Sequence, residues 1–145
     1  MRLYIDVDGV LLTYRPDKDG GPFGLSQKDG VPEFIEWATA NFDCYWLTAW
    51  ATNGRDRLLK DKLLPYLPDA AQQIKIAYWS DLKTEAFKDG DGDFLWIDDN
   101  LLGAERQFLE EAGWMDNFIR VNTKDTTLAP VVAEIQRRAK RAGGA

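Results

Sequence analysis

Two acidic pairs carry most of the chemical information in this chain. Asp6-Val7-Asp8-Gly9 follows the apolar run Arg2-Leu3-Tyr4-Ile5, and Asp98-Asp99-Asn100 follows Phe94-Leu95-Trp96-Ile97. A lone Asp after a strand is usually a turn or helix-cap residue. Two acidic pairs, each closing a β-like run, point elsewhere. In a parallel sheet, ligands bind outside the carboxyl ends of the strands, and acids placed there converge on one edge. Clustered carboxylates repel one another and raise each other's pKa unless a cation neutralises them. Asp6, Asp8, Asp98 and Asp99 therefore predict a hard, oxygen-ligated ion, Mg²⁺ above all. The chain has no histidine and a formal net charge of −6. Imidazole bases, His metal ligands and His-containing triads are thereby excluded, and a general nucleic-acid binder is disfavoured.

Those acids need a sheet to position them. Strands are predicted over 2–7, 43–47, 74–78, 94–97 and 117–121. Helices are predicted over 31–41, 53–64, 81–88, 101–112 and 126–141, where apolar residues such as Phe34, Ile35 and Ala38 recur at three- and four-residue intervals. This alternation predicts an α/β fold, a parallel five-stranded sheet with helices on both faces. The 145 residues, 45% hydrophobic and 29% charged, suit one soluble domain over 1–141, with residues 142–145 fraying. The stretch 12–30, rich in Gly, Pro, Asp and Lys, is predicted to be an exposed flap. Cys44 falls in a strand and has no partner for a disulfide. No leader is expected near Met1, because Arg2 and Asp6 interrupt the apolar stretch. A membrane span needs about 20 apolar residues, which no run approaches. A cytoplasmic protein is the expectation.

Asp6-Val7-Asp8-Gly9-Val10-Leu11 resembles the first motif of the haloacid dehalogenase-like (HAD) phosphohydrolases, an apolar strand followed by Asp-x-Asp-Gly-x. Tyr45-Trp46-Leu47-Thr48 is similar to the second motif, Lys83 occupies the place of the third-motif lysine, and Ile97-Asp98-Asp99 resembles the acidic fourth motif. All four occur in order between Leu3 and Asp99. The resemblance implies a Rossmann-like sheet and an Mg²⁺-dependent phosphatase that works through an aspartyl-phosphate. Asp6 would be the nucleophile and Asp8 the general acid and base. Asp6, the Asp8 backbone carbonyl, Asp98 and Asp99 would hold the metal, and Thr48 and Lys83 the phosphoryl oxygens, with the amides of Val7 and Ala49 as added donors. Lys75 falls inside a predicted strand and Lys88 at a helix end, so Lys83 is better placed than either.

The spacing from Asp8 to Thr48, and from Thr48 to Lys83, leaves room for about one helix and one strand each, so no large cap domain is expected. The site should be open, bordered by the flap and by Ala49-Trp50-Ala51-Thr52-Asn53. Trp50 is a possible substrate contact through stacking on a base, against the alternative that it packs beneath its loop. Arg55 and Arg57 are candidates for a second phosphate. Leu47-Thr48-Ala49-Trp50 with Trp96-Ile97-Asp98-Asp99 also resembles, more weakly, the HAD domain of Swiss Army knife RNA-repair proteins, which implies nucleic-acid ends as one substrate class beside nucleotides and other small phosphomonoesters. The competing reading is a non-catalytic phosphate- or nucleic-acid-binding module with the same fold; the presence of both Asp6 and Asp8 favours the enzyme. Asp89-Gly90-Asp91-Gly92-Asp93 imitates a calcium loop but lacks its later glycine and glutamate, and reads as a turn. The basic run 137–141 reads as a solvated helix face.

Overall fold

The protein is described here by a computed structural model covering residues 1–18 and 20–143. Among the described residues, seven strands are formed: β1 (Arg2–Ile5), β2 (Leu12–Thr13), β3 (Ser26–Gln27), β4 (Asp43–Trp46), β5 (Lys75–Ile76), β6 (Phe94–Asp98) and β7 (Phe118–Arg120). Three α-helices accompany them: α1 (Val31–Asn41), α2 (Gly103–Ala112) and α3 (Ala129–Gly143). Five strands make one all-parallel sheet in the order β5-β4-β1-β6-β7, so β1 is central. The fold is α/β, a parallel sheet flanked by helices as the alternation of β-runs and helical patterns predicted; it is Rossmann-like, and no large cap is evident among the described residues, in line with the motif spacing.

The central strands are buried on both faces, which is why they are nearly continuous apolar runs. Side-chain alternation divides them between two cores. Leu3, Ile5, Trp46, Leu95, Ile97 and Ile119 pack with Phe34 and Ile35 of α1 and Val131 and Ile135 of α3. Tyr4, Trp96 and Phe118 face the other way, against Leu109 of α2, Phe87 and Phe94. Each buried Leu, Ile or Phe is worth about 1.5–3 kcal/mol relative to exposure, so the two faces together hold the central strands in place. Tyr4 stacks on Tyr45 at 5.1 Å and meets Phe87 edge-on at 4.9 Å. No helix among the described residues is long and apolar enough to cross a membrane.

Several local expectations are corrected. The helix expected from Asn53 begins only near Arg57 and is wound as a π-helix over Leu59–Leu63. Asn53 and Gly54 both take positive φ (54° and 73°), a left-handed turn that no α-helix can include. The expected helix 81–88 shrinks to one 3₁₀ turn, Lys83–Ala86. The sheet strands are up to three residues shorter than expected, except β6, which extends to Asp98. Helix α3 continues to Gly143 where fraying was expected from residue 142; residues 144 and 145 lie outside the described residues. The basic run is also more than a solvated face: Arg138 donates to the carbonyls of Asp116 and Phe118, tying α3 to β7. Asp91 accepts from Arg2 and from the Asp93 amide, which makes that acidic run a turn.

The flap is only partly free. Its stem pairs β2 with β3 antiparallel and buries Leu12, Thr13, Ser26 and Lys28, while Tyr14 and Phe23 remain exposed.

Candidate active site

Strand register builds the site. β1 and β6 pair with Ile5 beside Ile97, so the next residues, Asp6 and Asp98, emerge side by side at the carboxyl end of the sheet. Both are almost fully buried, at 6% and 1% exposure. Asp99 joins them from the turn after β6, and one carboxylate oxygen from each of the three lies within 4.8 Å of the others. Lys83, opening its 3₁₀ turn, places Nζ 3.3 Å from Asp6 Oδ2 and 2.7 Å from Asp98 Oδ2.

The remaining bonds fix each carboxylate. Asp6 Oδ1 accepts the Val7 amide at 2.8 Å, Asp98 Oδ1 the Asn100 amide at 3.1 Å, and Asp99 Oδ2 the Thr123 hydroxyl at 2.8 Å. Gly9 is required beside them. It sits at φ +77°, and a Cβ there would overlap the Asp99 carboxylate.

Electrostatics follow from crowding. Burial pushes the Asp6 pKa well above the ordinary carboxylate value, the charge of Asp98 adds to this, and Lys83 only partly opposes it. Asp99 is raised for the same leading reason, with the Thr123 hydrogen bond pulling the other way. Burial works against the Lys83 ammonium, yet Asp6 and Asp98 outweigh it and leave its pKa raised. Three converging carboxylates answered by one lysine are an anionic, all-oxygen donor set. Such a set suits a hard divalent cation such as Mg²⁺, which would lower the cost of keeping Asp6 and Asp99 ionised.

Asp8 stands apart. Its carboxylate is exposed and outside the three-acid group, and Oδ1 accepts the Trp50 indole Nε1–H at 2.9 Å. Trp50 itself is 5% exposed and meets the Phe23 ring edge-on at 5.4 Å. Of the two readings of Trp50, its burial fits packing beneath its loop better than stacking on a base, and its indole N–H is turned to Asp8. Thr48 follows β4 beside the Asp6–Val7 segment, since Trp46 pairs with Ile5. It is fully buried, and its Oγ1 accepts the Trp50 amide at 3.2 Å. Arg55, on the loop beyond, and Arg57, where the following helix begins, are both exposed along a 510 Å³ groove that Ala49, Trp50 and Leu58 also line.

Four further residues frame the site. Trp79 donates Nε1–H to the Thr48 carbonyl at 2.9 Å, and its ring lies 5.8 Å from Lys83 Nζ. Glu105 of α2, buried, accepts the Lys83 amide at 3.0 Å and so fixes the start of the lysine's turn. Thr123 orients Asp99, and Lys28 donates Nζ to the carbonyls of Gly9 and Asn122. Thr123 follows the fifth sheet strand, so the strand-end rule that found the acids reaches it too. Glu105 and Lys28 act across long separations and leave no local signal. Comparison of the chain with protein-family models, with curated proteins and with solved structures gives no match.

Proposed function

We propose that this protein is a divalent-cation-dependent phosphomonoester hydrolase that works through an aspartyl-phosphate on Asp6. The observation that carries the reading is the meeting of Asp6, Asp98 and Asp99 at the carboxyl ends of β1 and β6, with Lys83 bridging the first two.

An Asp6 oxygen attacks phosphorus as the bond to the leaving oxygen breaks, and the Asp8 carboxyl gives that oxygen its proton. Asp8, now a carboxylate, takes a proton from a water whose oxygen attacks the same phosphorus. The bond to Asp6 breaks, inorganic phosphate leaves, and both acids return to their starting state. Asp6, Asp98 and Asp99, with the Asp8 backbone carbonyl that the family resemblance implies, would hold Mg²⁺, whose positive charge would offset repulsion between the acids and an anionic substrate. Lys83 and the Thr48 hydroxyl stabilise phosphoryl oxygens, with the Val7 and Ala49 amides as further donors. Trp50 holds the Asp8 carboxyl through its indole N–H, which limits how far the acid can swing. The exposure of the Asp8 side chain and the lack of a large cap among the described residues suit substrates from nucleotides to nucleic-acid ends.

A panel of phosphomonoesters, including mononucleotides and 3′- or 5′-phosphorylated oligonucleotides, tests this reading. Phosphate release is expected with Mg²⁺, none with EDTA, and none from Asp6→Asn. Turnover that survives EDTA or Asp6→Asn contradicts it.

A further inference from the structure

Lys28 is a lysine withdrawn from water, 1% exposed, and the chemistry above leaves it without a part. Burying an ammonium is costly unless its donors are met and its charge is answered. Here Nζ donates to the Gly9 carbonyl at 2.8 Å and the Asn122 carbonyl at 2.9 Å. Burial still pulls its pKa below the ordinary lysine value, and the charges of Asp125 and Asp99 oppose this only in part.

Both carbonyls belong to segments that grip Asp99. Gly9 leaves no room for a Cβ against the Asp99 carboxylate. Asn122 precedes Thr123, whose hydroxyl donates to Asp99 Oδ2. A second buried flap residue strengthens the same seam: Thr13 donates Oγ1–H to the Thr123 carbonyl at 2.8 Å. Beyond it, the Asp29 amide bonds the Thr126 carbonyl and the Leu128 amide bonds the Asp29 carbonyl. The flap stem is thus stitched along the loop that orients one of the three acids.

We propose that Lys28 is a positioning residue for the metal centre: by joining the Gly9 and Asn122 carbonyls through one ammonium, it sets the width of the slot that fixes the Asp99 carboxylate. The inference rests on the metal-dependent reading above. It gives the flap a function at the site, since the flap's own lysine determines how well the third acid is aimed.

Titration calorimetry with Mg²⁺ alone, on the full chain and without substrate, tests it, together with thermal melts. Lys28→Met should weaken Mg²⁺ binding about ten-fold, the scale seen when a residue orienting a metal ligand is lost. Thr123→Val removes one hydrogen bond to Asp99 without changing charge and should weaken binding about three-fold. Lys75→Met, which breaks an exposed pair with Asp43 on the edge strand, should leave Mg²⁺ affinity unchanged. A folded Lys28→Met protein with a lower Tm but wild-type Mg²⁺ affinity overturns the proposal, because a purely structural staple behaves that way. Should Lys28→Met not fold, Thr123→Val decides, and wild-type affinity there overturns it. Wild-type protein that takes up no Mg²⁺ contradicts the metal-dependent reading and this inference with it. Wild-type binding with unchanged variants contradicts the inference alone.

Discussion

The indole N–H of Trp50 donates to Asp8 Oδ1 at 2.9 Å, joining the loop after β4 to the turn after β1. The apolar body of Trp50 is buried while its polar edge finds an exposed carboxylate as its partner, and under the proposed mechanism that bond would orient Asp8.

Trp50→Phe keeps most of the packing and removes the donor. General acid catalysis contributes roughly 10²–10⁴-fold, and a loosened acid is expected to forfeit about ten-fold of it. The loss should fall on kcat for alkyl phosphates, whose leaving oxygens need a proton. It should be small for p-nitrophenyl phosphate, whose leaving group departs as an anion. Equal loss on both substrates would assign Trp50 a packing role only.

Lys83 lies between two buried carboxylates, so its removal leaves charge uncompensated. Breaking a buried pair in this way costs about 3–5 kcal/mol. Lys83→Met is expected to lower Tm in EDTA, and Mg²⁺ should restore a larger part of the loss than the increment it gives wild-type protein. Differential scanning fluorimetry with and without Mg²⁺ measures both shifts. A variant as stable as wild type in EDTA would show that Asp6 and Asp98 do not depend on this ammonium.

Gly9→Ala meets two obstacles at once, a positive φ and the Asp99 carboxylate. Strain at such a backbone position costs about 1–3 kcal/mol. Chemical denaturation should show that loss, and Mg²⁺ affinity should fall because Asp99 is displaced. Unchanged affinity would mean that Asp99 tolerates the displacement.

Sequence pattern made the sheet legible because hydrophobic alternation and strand-end polarity are local signals. Asp6 and Asp98 were each recognisable from their own neighbours, and their meeting needed only that β1 and β6 be adjacent and in register. The helix expected at Asn53 failed because two consecutive left-handed residues override the apolar spacing of Leu58, Leu59 and Leu63. Trp50 was visible as a residue of interest, but the direction of its ring depends on Phe23 and Asp8, far away in sequence. Lys28 was hidden for a similar reason. A lysine in a Gly- and Asp-rich stretch reads as solvated, and only the return of the flap onto residues 122–128 buries it.

The turn that presents Lys83 has its own pH signature. Glu85 accepts the amides of Leu82, Ser80 and Asp81, and these bonds pull its pKa from the ordinary 4.5 down to about 2. A carboxylate with a depressed folded-state pKa stabilises the fold fully above its unfolded value. That contribution fades as the pH falls from 4.5 toward 2. Glu85→Gln should therefore lower Tm at neutral pH, with the difference from wild type shrinking through this acid range. A difference independent of pH would trace the effect to shape and not to charge.

Whether Asp6 itself receives the phosphoryl group is decided by trapping the adduct. Asp8→Asn removes the acid and base needed to finish turnover while leaving the nucleophile in place. Mixed with p-nitrophenyl phosphate and Mg²⁺, then quenched in acid, this variant should gain the mass of one phosphoryl group, located by peptide mapping to Asp6 and released by hydroxylamine. A turnover-competent wild-type enzyme whose Asp8→Asn variant carries no adduct on Asp6, or carries it on another residue, would rule out Asp6 as the nucleophile.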